Sequence, residues 1–223
     1  MYRKVKIYRS LEEETDYVAE DIKFKLFING KIENSFRISP LFLKEFSIGY
    51  CFGEGIIGGL DDVLRIRIDN NSARVEVKKK ERKFEKIKSN FQIESREIVF
   101  RAKDLIRKAK AWKKTGGTHV SMLISGDTSI IVEDVSRHAC IDKLLGISLE
   151  RGINFEESYV VCSGRLCEGR VRKIVMAGIP ILASIGAPLL SGVLFARKYG
   201  VTLIGFAKRE NFNIYANSER IKF

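Results

Sequence analysis

Residues 159–206 read YVVCSGRLCEGRVRKIVMAGIPILASIGAPLLSGVLFARKYGVTLIGF, and the pattern of this stretch decides the fold class. Short apolar runs predict three buried strands, at residues 159–162, 179–184 and 201–206. Helix-period segments, each followed by a glycine that ends a helix, lie between them at residues 169–177 and 189–199. Two successive strand-helix-strand units predict neighbouring parallel strands.

The expected ligand site follows from this topology, because ligands of open α/β sheets gather at the carboxyl ends of the strands. A hairpin at residues 119–133 and a helix at residues 136–150 precede the βαβαβ stretch and bring one more loop to this edge. Four loops are therefore expected to meet there: EDVSRH at 133–138, SGR at 163–165, GAP at 186–188 and AKREN at 207–211.

These loops supply cations and small residues that suit an anionic ligand such as a phosphate or a pyrophosphate. The cationic candidates are Arg137, His138, Arg165, Lys208 and Arg209. The glycines whose backbone N–H groups can approach an anion closely are Gly116, Gly117, Gly164 and Gly186. Plain αβ connections contain similar glycines, so both interpretations stay open.

The two histidines of the chain also fall at this edge. His138 and Asp142 are one helical turn apart, so Asp142 can orient the imidazole of His138. The alternative is a capping and ion-pair arrangement at the start of a helix. His119 begins a strand beside the same edge, either as a site residue or as a core histidine.

Residues before position 114 predict a smaller α+β unit. Its pattern indicates hairpins at residues 21–38 and 63–77, a helix that follows Pro40, and a basic helix at residues 105–112. We therefore expect a smaller α+β domain at residues 1–113 and an α/β domain at residues 114–223.

A basic segment at residues 78–114 carries most of the net charge of the chain. It contains 15 Lys and Arg against 5 Asp and Glu, a difference of +10 out of a formal +12. Such a segment suits an acidic partner, an anionic cofactor or nucleic acid, and it is also typical of a solvated face.

Composition excludes several classes of protein. The longest apolar stretch, residues 174–190, is broken by glycine and proline and falls short of the roughly 20 apolar residues of a membrane span. With no signal-peptide pattern at the N-terminus, we expect a cytoplasmic protein whose four cysteines are reduced. Zinc motifs, a Walker A loop and a GxGxxG fingerprint are missing, so we expect no metal site, ATPase or ordinary dehydrogenase.

Five segments, in order, resemble the formate dehydrogenase accessory sulfurtransferase family (FdhD). They are FSIGYCFGEGII at 46–57, TGGTHVSMLISG at 115–126, EDVSRHACIDKLLG at 133–146, VVCSGRLCEGRVRKIVMAGIPILASIGAP at 160–188 and GVTLIGFAKRENFNIYANSERI at 200–221. The resemblance implies a cytidine deaminase-like three-layer α/β domain without zinc, with a mixed, largely parallel sheet, plus a smaller α+β domain.

The resemblance also implies a function. Members of this family take sulfur from a cysteine desulfurase through a cysteine persulfide and pass it to the molybdenum bis-guanine-dinucleotide cofactor, so that formate dehydrogenase becomes active. GDP would mimic part of this cofactor. The implied binding residues are Phe206, Ala207, Lys208, Arg209, Glu210, Asn211, Gly116, Gly117, His119, Asp134, Arg137, His138, Asp142, Ser163, Gly164 and Arg165. The implied partners are a formate dehydrogenase-type molybdoenzyme and a cysteine desulfurase, and a homodimer is a further hypothesis.

Departures from the family pattern fall at chemical positions. The family's sulfur-carrying CGxCG-type loop corresponds to KSNFQIESREIVF at residues 88–100, which contains no cysteine, so the usual persulfide cannot form. Gly169 replaces a glutamate that usually follows the SGR arginine by four residues. The remaining candidates for a reactive thiol are Cys140, Cys162 and Cys167, and the alternative for each is a small buried hydrophobic residue.

Three functions stay open at this point. The protein transfers sulfur through one of these cysteines, or it binds the molybdenum cofactor or a guanine nucleotide as a carrier without sulfur chemistry. The third is a basic, nucleic-acid-associated protein on the same fold. Aromatic residues are sparse in the basic segment, which argues against stacking on single-stranded nucleic acid.

Overall fold

The computed structural model describes residues 1–78, 80–208 and 211–223. It begins with an antiparallel hairpin of β1 (Tyr2–Arg9) and β2 (Glu12–Ala19). Most side chains of both strands are exposed, and Val5 and Ile7 alternate with lysines over too short a run to predict the hairpin. Surface ion pairs between Arg3 and Glu20, and between Lys6 and Glu13, join its strands.

A smaller sheet follows, with the order β4-β3-β6-β5. Its strands are β3 (Ile22–Ile28), β4 (Lys31–Ile38), β5 (Val63–Asp69) and β6 (Ser72–Val77). Both predicted hairpins are confirmed. Asn29 and Gly30 take positive φ angles of 49° and 79°, the conformation that the two-residue turn between β3 and β4 requires.

A mixed sheet of six strands forms the larger unit, with the order β13-β12-β11-β10-β8-β9. Its strands are β8 (His119–Ser125), β9 (Thr128–Asp134), β10 (Tyr159–Cys162), β11 (Ile181–Ser184), β12 (Thr202–Lys208) and β13 (Asn211–Ala216). The predicted parallel neighbours β10, β11 and β12 are confirmed. The description "largely parallel" is wrong, because the other three strand pairs are antiparallel. Strand β13 folds back from β12 where the pattern predicts only a loop.

Helices cover both faces of this sheet. They are α1 (Leu43–Gly53), α2 (Ser95–Lys108), α3 (Lys110–Thr115), α4 (Arg137–Glu150), α5 (Glu168–Ala177) and α6 (Leu190–Tyr199). Alternate residues of β10 separate the two layers: Val160 and Cys162 pack with α4 and α5, whereas Tyr159 and Val161 pack with α2. The result is a three-layer arrangement.

The basic helix expected at residues 105–112 is misplaced. Helix α2 begins ten residues earlier, because Ile98, Ala102 and Leu105 are buried at helical spacing among charged residues. The chain breaks at Ala109, where ψ is 84°, and α3 follows. Helix α2 precedes the boundary expected at residue 113, yet it packs on the six-stranded sheet through β8, β10 and β12. The division into two domains stays a prediction.

The smaller and larger units are joined where two helices cross, and the C-terminal strand pairs with a strand of the first half of the chain. Helix α1 lies directly against α4, and one cluster of buried side chains contains Phe24 and Val75 of the smaller sheet together with Leu144 of α4. Near the C-terminus, β14 (Ile221–Lys222) pairs parallel with β7 (Ile93–Glu94), just before α2. Among the described residues, no helix combines the length and apolar character that a membrane crossing requires.

Candidate functional site

One edge of the six-stranded sheet brings the expected loops together. His119, the first residue of β8, pairs with Asp134, the last residue of β9. Cys162, at the end of β10, lies between Ser121 of β8 and Ser184 at the end of β11. The carboxyl ends of β9, β10 and β11 therefore share an edge with the amino end of β8, as the sequence predicts.

Hydrogen bonds connect neighbouring loops at this edge. The hydroxyl of Ser163 accepts a hydrogen bond from the amide of Val120 at 3.0 Å, and the amide of Ser163 donates to the Val120 carbonyl at 2.9 Å. The Ser184 hydroxyl donates to the Gly164 carbonyl at 2.7 Å. Phe206 donates its amide to the Gly186 carbonyl at 3.0 Å. The loops are thus fixed relative to one another by their own backbone.

Gly164 and Gly186 are needed for close approach within the protein. A Cβ atom at Gly164 would lie 2.7 Å from Nη1 of Arg170, and one at Gly186 would lie 3.1 Å from the Ser163 carbonyl oxygen. Neither position tolerates a side chain without movement. These glycines are thereby explained by loop packing, and their role in ligand binding stays a prediction.

A cavity of about 310 Å³ opens beside the TGG segment. It is lined by Trp112, Gly116, Gly117, Thr118, His119, Ser163 and Ile185. Four of these residues were expected at the site from the sequence. Trp112, Thr118 and Ile185 were not, and the aromatic surface of Trp112 and the aliphatic surface of Ile185 contribute to a mainly apolar wall.

Two histidines and two arginines form the electrostatic centre of this edge. Burial, together with the positive charges of Arg170 and Arg137, lowers the pKa of His138 to about 4. Burial followed by the same two arginines also lowers the pKa of His119. Both imidazoles are therefore neutral at neutral pH, beside two guanidinium groups.

Asp134 and Asp142 are buried and paired with lysines. Asp134 is fully buried, pairs with the Lys143 ammonium, and accepts hydrogen bonds from the amides of Ser39 and Ser136. Asp142 is 2% exposed, and its Oδ1 lies 2.7 Å from Nζ of Lys173. Burial raises the pKa of both carboxyls, that of Asp142 to about 6. Both acids are engaged by lysines within the protein, and their role as cofactor contacts stays a prediction.

The expected pairing of His138 with Asp142 is wrong, because Asp142 is engaged by Lys173. His138 instead contacts a cysteine: its Nε2 lies 3.4 Å from Sγ of Cys167, the residue that precedes α5. A Cβ atom at Gly169 would lie 3.4 Å from the same nitrogen. The departure from the family pattern at Gly169 thus lies directly beside this thiol-imidazole contact.

Burial separates the three candidate cysteines. Cys140 and Cys162 are fully buried, and their thiols donate to the backbone carbonyls of Val132 and Ala183. Burial raises the pKa of the Cys140 thiol to about 12, which keeps it protonated. Cys167 is partly exposed at the loop edge. It is the only one of the three that a reaction partner can reach.

The C-terminal segment expected to bind the cofactor includes the end of β12 and the first residue of β13. Phe206 is exposed with a φ of 55°, where the strand pairing is irregular, and Ala207 is buried. Lys208 and Asn211 pair across the hairpin and are exposed. Arg209 and Glu210 were also expected to bind the cofactor, and they lie outside the described residues. Arg165 is exposed in the SGR loop.

Two functional candidates were missed in the sequence. Arg170 and Lys173 lie in α5 in line with the apolar residues Ile174 and Ala177, and all four are buried. Basic residues at the apolar positions of a short helix were the available signal.

Part of the basic segment, residues 81–89, lies away from this edge. A groove of about 910 Å³ runs along residues 81–89 and the C-terminal end of α5, including Met176 and Gly178. Gly178 precedes β11, so this groove lies at the amino end of the parallel strands. The nucleic-acid hypothesis therefore concerns a different surface, and it stays a prediction.

The chain matches the family described as FdhD/NarQ over residues 19–92 and 78–222. It is 35% identical to the "Sulfur carrier protein FdhD" of Methanothermobacter thermautotrophicus, with 99% of each chain covered. It is 32% identical to the "Protein FdhD" of Methanocaldococcus jannaschii, with 97% of each chain covered. Its structure is similar to a crystal structure from Desulfotalea psychrophila described as a formate dehydrogenase accessory protein, with a TM-score of 0.86, 26% identity, and coverage of 100% of this chain and 99% of that one.

Proposed function

Because the chain belongs to the FdhD/NarQ family, we propose that it is an accessory protein of a formate dehydrogenase-type molybdoenzyme. In this role it binds the molybdenum bis-guanine-dinucleotide cofactor as cargo at the loop edge and carries sulfur to it. The names of the relatives as sulfur carriers and the description of the similar structure support this role. A cysteine desulfurase is the proposed sulfur donor, and the cytoplasm is the proposed location.

The observation that carries the proposal is the convergence of cationic and glycine-containing loops at one sheet edge. The cofactor bears two pyrophosphate groups, and such anions favour guanidinium groups and exposed backbone N–H groups. Arg137 and Arg170 provide the guanidiniums, and nitrogens of both are buried without a hydrogen-bond partner among the described residues. Those nitrogens fit an anion as the missing partner.

The guanine and ribose parts of the cofactor need a surface that is less charged. The cavity beside Gly116 and Gly117 has Trp112 on one wall, and an indole ring suits stacking on a purine. His119 and Ser163 line the same cavity and offer polar contacts. We place one guanine nucleotide here, with its phosphates toward the SGR loop.

The three-layer arrangement, with helices on both faces of a mixed sheet, supports the proposal that the larger unit is of the cytidine deaminase-like type. A homodimer is a further proposal, since the assembly of a cofactor that carries two guanine nucleotides suits two copies of one binding site.

A calorimetric titration with GDP tests the proposed site. We expect the wild-type protein to bind GDP, and Arg165→Ala to weaken binding about tenfold, because an exposed guanidinium near the phosphates is lost. Lys86→Ala removes one positive charge from the groove at the opposite end of the sheet and is the matched control. Absence of GDP binding by the wild-type protein contradicts the proposal. Equal weakening by both variants would also contradict it, because GDP would then respond only to the net charge of the protein.

A carrier without sulfur transfer is the second candidate. It is favoured by the segment that corresponds to the family's cysteine loop, which forms β7 and the beginning of α2 and contains no cysteine. Cofactor binding is common to both candidates, so the GDP titration does not separate them. They differ in whether the protein itself acquires a sulfur atom.

A further inference from the structure

Arg170 is a buried cation without a counter-charge. Its side chain is 0% exposed, and among the residues that the structure describes it forms no salt bridge. Its Nη1 donates to the Arg165 carbonyl at 3.2 Å, whereas Nε and Nη2 have no hydrogen-bond partner in the described part of the chain. Burial of an unpaired charge is costly, so its presence in α5 indicates that an anion is accommodated beside it.

The guanidinium of Arg170 points toward the N-terminal end of α5. Helical side chains lean toward the N-terminus of their helix, and the contact with the Arg165 carbonyl shows that this one does so. A Cβ atom at Gly164 would contact Nη1 of Arg170 and the Cβ and Cδ atoms of Arg137, so the side chains of both arginines lie beside this glycine. Nε of Arg137 is buried and lacks a partner as well. Cys167 is the residue immediately before the helix.

Cys167 has a hydrogen-bonding neighbour, His138. Its Sγ lies 3.4 Å from Nε2 of His138, and this nitrogen accepts a hydrogen bond from the thiol when the imidazole proton is on Nδ1. Arg137 and Arg170 disfavour a positive charge on His138, as its lowered pKa indicates.

We propose that Cys167 is the residue on which this chain holds sulfur, as a persulfide whose terminal anionic sulfur is stabilised by Arg137 and Arg170. This inference rests on the proposed function as a sulfur carrier. The inference goes beyond the proposed function, because it assigns the persulfide to a cysteine at the cofactor edge and not to a separate loop. Gly169 supports it, because a side chain at this position would occupy space beside His138 and Cys167.

The transfer step needs only a persulfide donor, R–S–SH. The Cys167 thiol, which lies within hydrogen-bond distance of Nε2 of His138, loses its proton to solvent, and the thiolate attacks the terminal sulfur of the donor. A new S–S bond forms to that sulfur while the S–S bond of the donor breaks, and the donor leaves as a thiolate that takes up the proton. The balance is Cys167–SH + R–S–SH → Cys167–S–SH + R–SH. No external oxidant or reductant is required.

Mass spectrometry after incubation with glutathione persulfide tests the assignment. We expect the wild-type protein, trapped with an alkylating reagent, to gain one sulfur atom on the peptide that contains Cys167. Cys167→Ser loses this gain, whereas Cys51→Ala, which removes a buried thiol elsewhere, retains it. Sulfur on Cys140 or Cys162 instead, or no uptake by the wild-type protein, would overturn the assignment.

Arg170→Met separates electrostatic stabilisation from a structural role. Replacement of an unpaired buried charge by an apolar side chain is expected to leave the protein folded and at least as stable. The same variant is expected to hold the persulfide for a shorter time, about tenfold, because the anion loses a charged partner. A persulfide of unchanged lifetime would show that Arg170 does not stabilise it.

A GDP titration of Cys167→Ser keeps the two proposals distinguishable. Retained GDP binding without sulfur uptake supports Cys167 as the sulfur site of an intact protein. Wild-type protein that binds GDP but takes no sulfur on Cys167 contradicts this inference and leaves the carrier function in place. Uptake on Cys167 without GDP binding contradicts the proposed cofactor site alone.

Discussion

At the scale of single residues, the site is governed by charges that are buried without counter-charges. Arg170 and Arg137 surround Gly164, and no carboxylate of the described residues pairs with Arg170. The nearby acids Asp134 and Asp142 are engaged by lysines. The local excess of positive charge is therefore available to a ligand, and it also acts on the neighbouring histidines.

The pKa of His138 responds to this excess of positive charge, so the excess can be measured as a dependence of the free energy of unfolding on pH. Its pKa is about 4 in the folded protein against 6.5 normally, so the unfolded chain binds the proton first as the pH falls. The contribution of His138 to the free energy of unfolding is fully present above about pH 6.5. It is lost progressively between about pH 6.5 and 4, by up to roughly 3 kcal/mol. We expect His138→Gln to lose less stability than the wild-type protein between pH 7.5 and 4.5, measured by urea unfolding.

The matched control is His119→Gln. Burial and the same two arginines lower the pKa of His119 as well, so this variant should change the acid sensitivity in the same direction but by less. Equal acid sensitivity of the wild-type protein and His138→Gln would mean that His138 does not carry the depressed pKa.

At the scale of elements, the contact between α1 and α4 positions the EDVSRH loop. The two helices cross at Gly49 and Gly146, where backbone meets backbone. A Cβ atom at Gly49 would lie 1.8 Å from the Asp142 carbonyl oxygen, and one at Gly146 would lie 1.9 Å from that of Glu45. Because α4 also carries Arg137 and His138 at its N-terminal end, this crossing controls the geometry of the site.

Gly146→Ala should destabilise the protein although alanine favours helices. The helix propensity favours alanine by about 1 kcal/mol, but separating two packed backbones costs roughly 1–3 kcal/mol or more. We expect a lower midpoint in guanidinium unfolding and a net loss of stability. Gly169→Ala in α5 is the control, since its Cβ meets only the His138 ring at 3.4 Å or more. A more stable Gly146→Ala variant would show that the helices do not cross this closely.

At the scale of the whole molecule, the smaller and larger units share their hydrophobic packing. One cluster of buried residues includes Phe24 of β3, Leu145 of α4 and Leu203 of β12. On the other face of the large sheet, Ile98 and Leu105 of α2 cover the apolar side chains of β8, β10 and β11. Unfolding of either unit would therefore expose apolar surface of the other.

We expect a single cooperative transition in calorimetry, with equal calorimetric and van't Hoff enthalpies. A fragment of residues 114–223 lacks α2, which covers one face of its sheet, and α1, which packs on α4 and α5. Apolar surface is therefore exposed on the sheet and on these helices, and the fragment should show no cooperative transition. The full-length chain under identical conditions is the control. A fragment that melts cooperatively would instead establish residues 114–223 as an independent domain.

The sequence by itself determined the βαβαβ core, the hairpins flanked by turn residues and the loops that meet at one sheet edge. These follow from local periodicity and from positions that require glycine, such as the left-handed Gly178 and Gly200 that end α5 and α6. The sequence pattern did not predict the exposed hairpin β1–β2 or the full extent of α2, because charged side chains separate the few apolar residues there.

Only the tertiary structure decided which candidate side chains are paired within the protein and which are left without a partner among the described residues. Asp134 and Asp142 match the family pattern, yet both are buried in ion pairs with Lys143 and Lys173. Arg170 carries no recognisable motif, but it is a buried charge that lacks a partner among the described residues. The physical reason is that the energy of a charge depends on its desolvation and on neighbours distant in sequence, which local patterns do not contain.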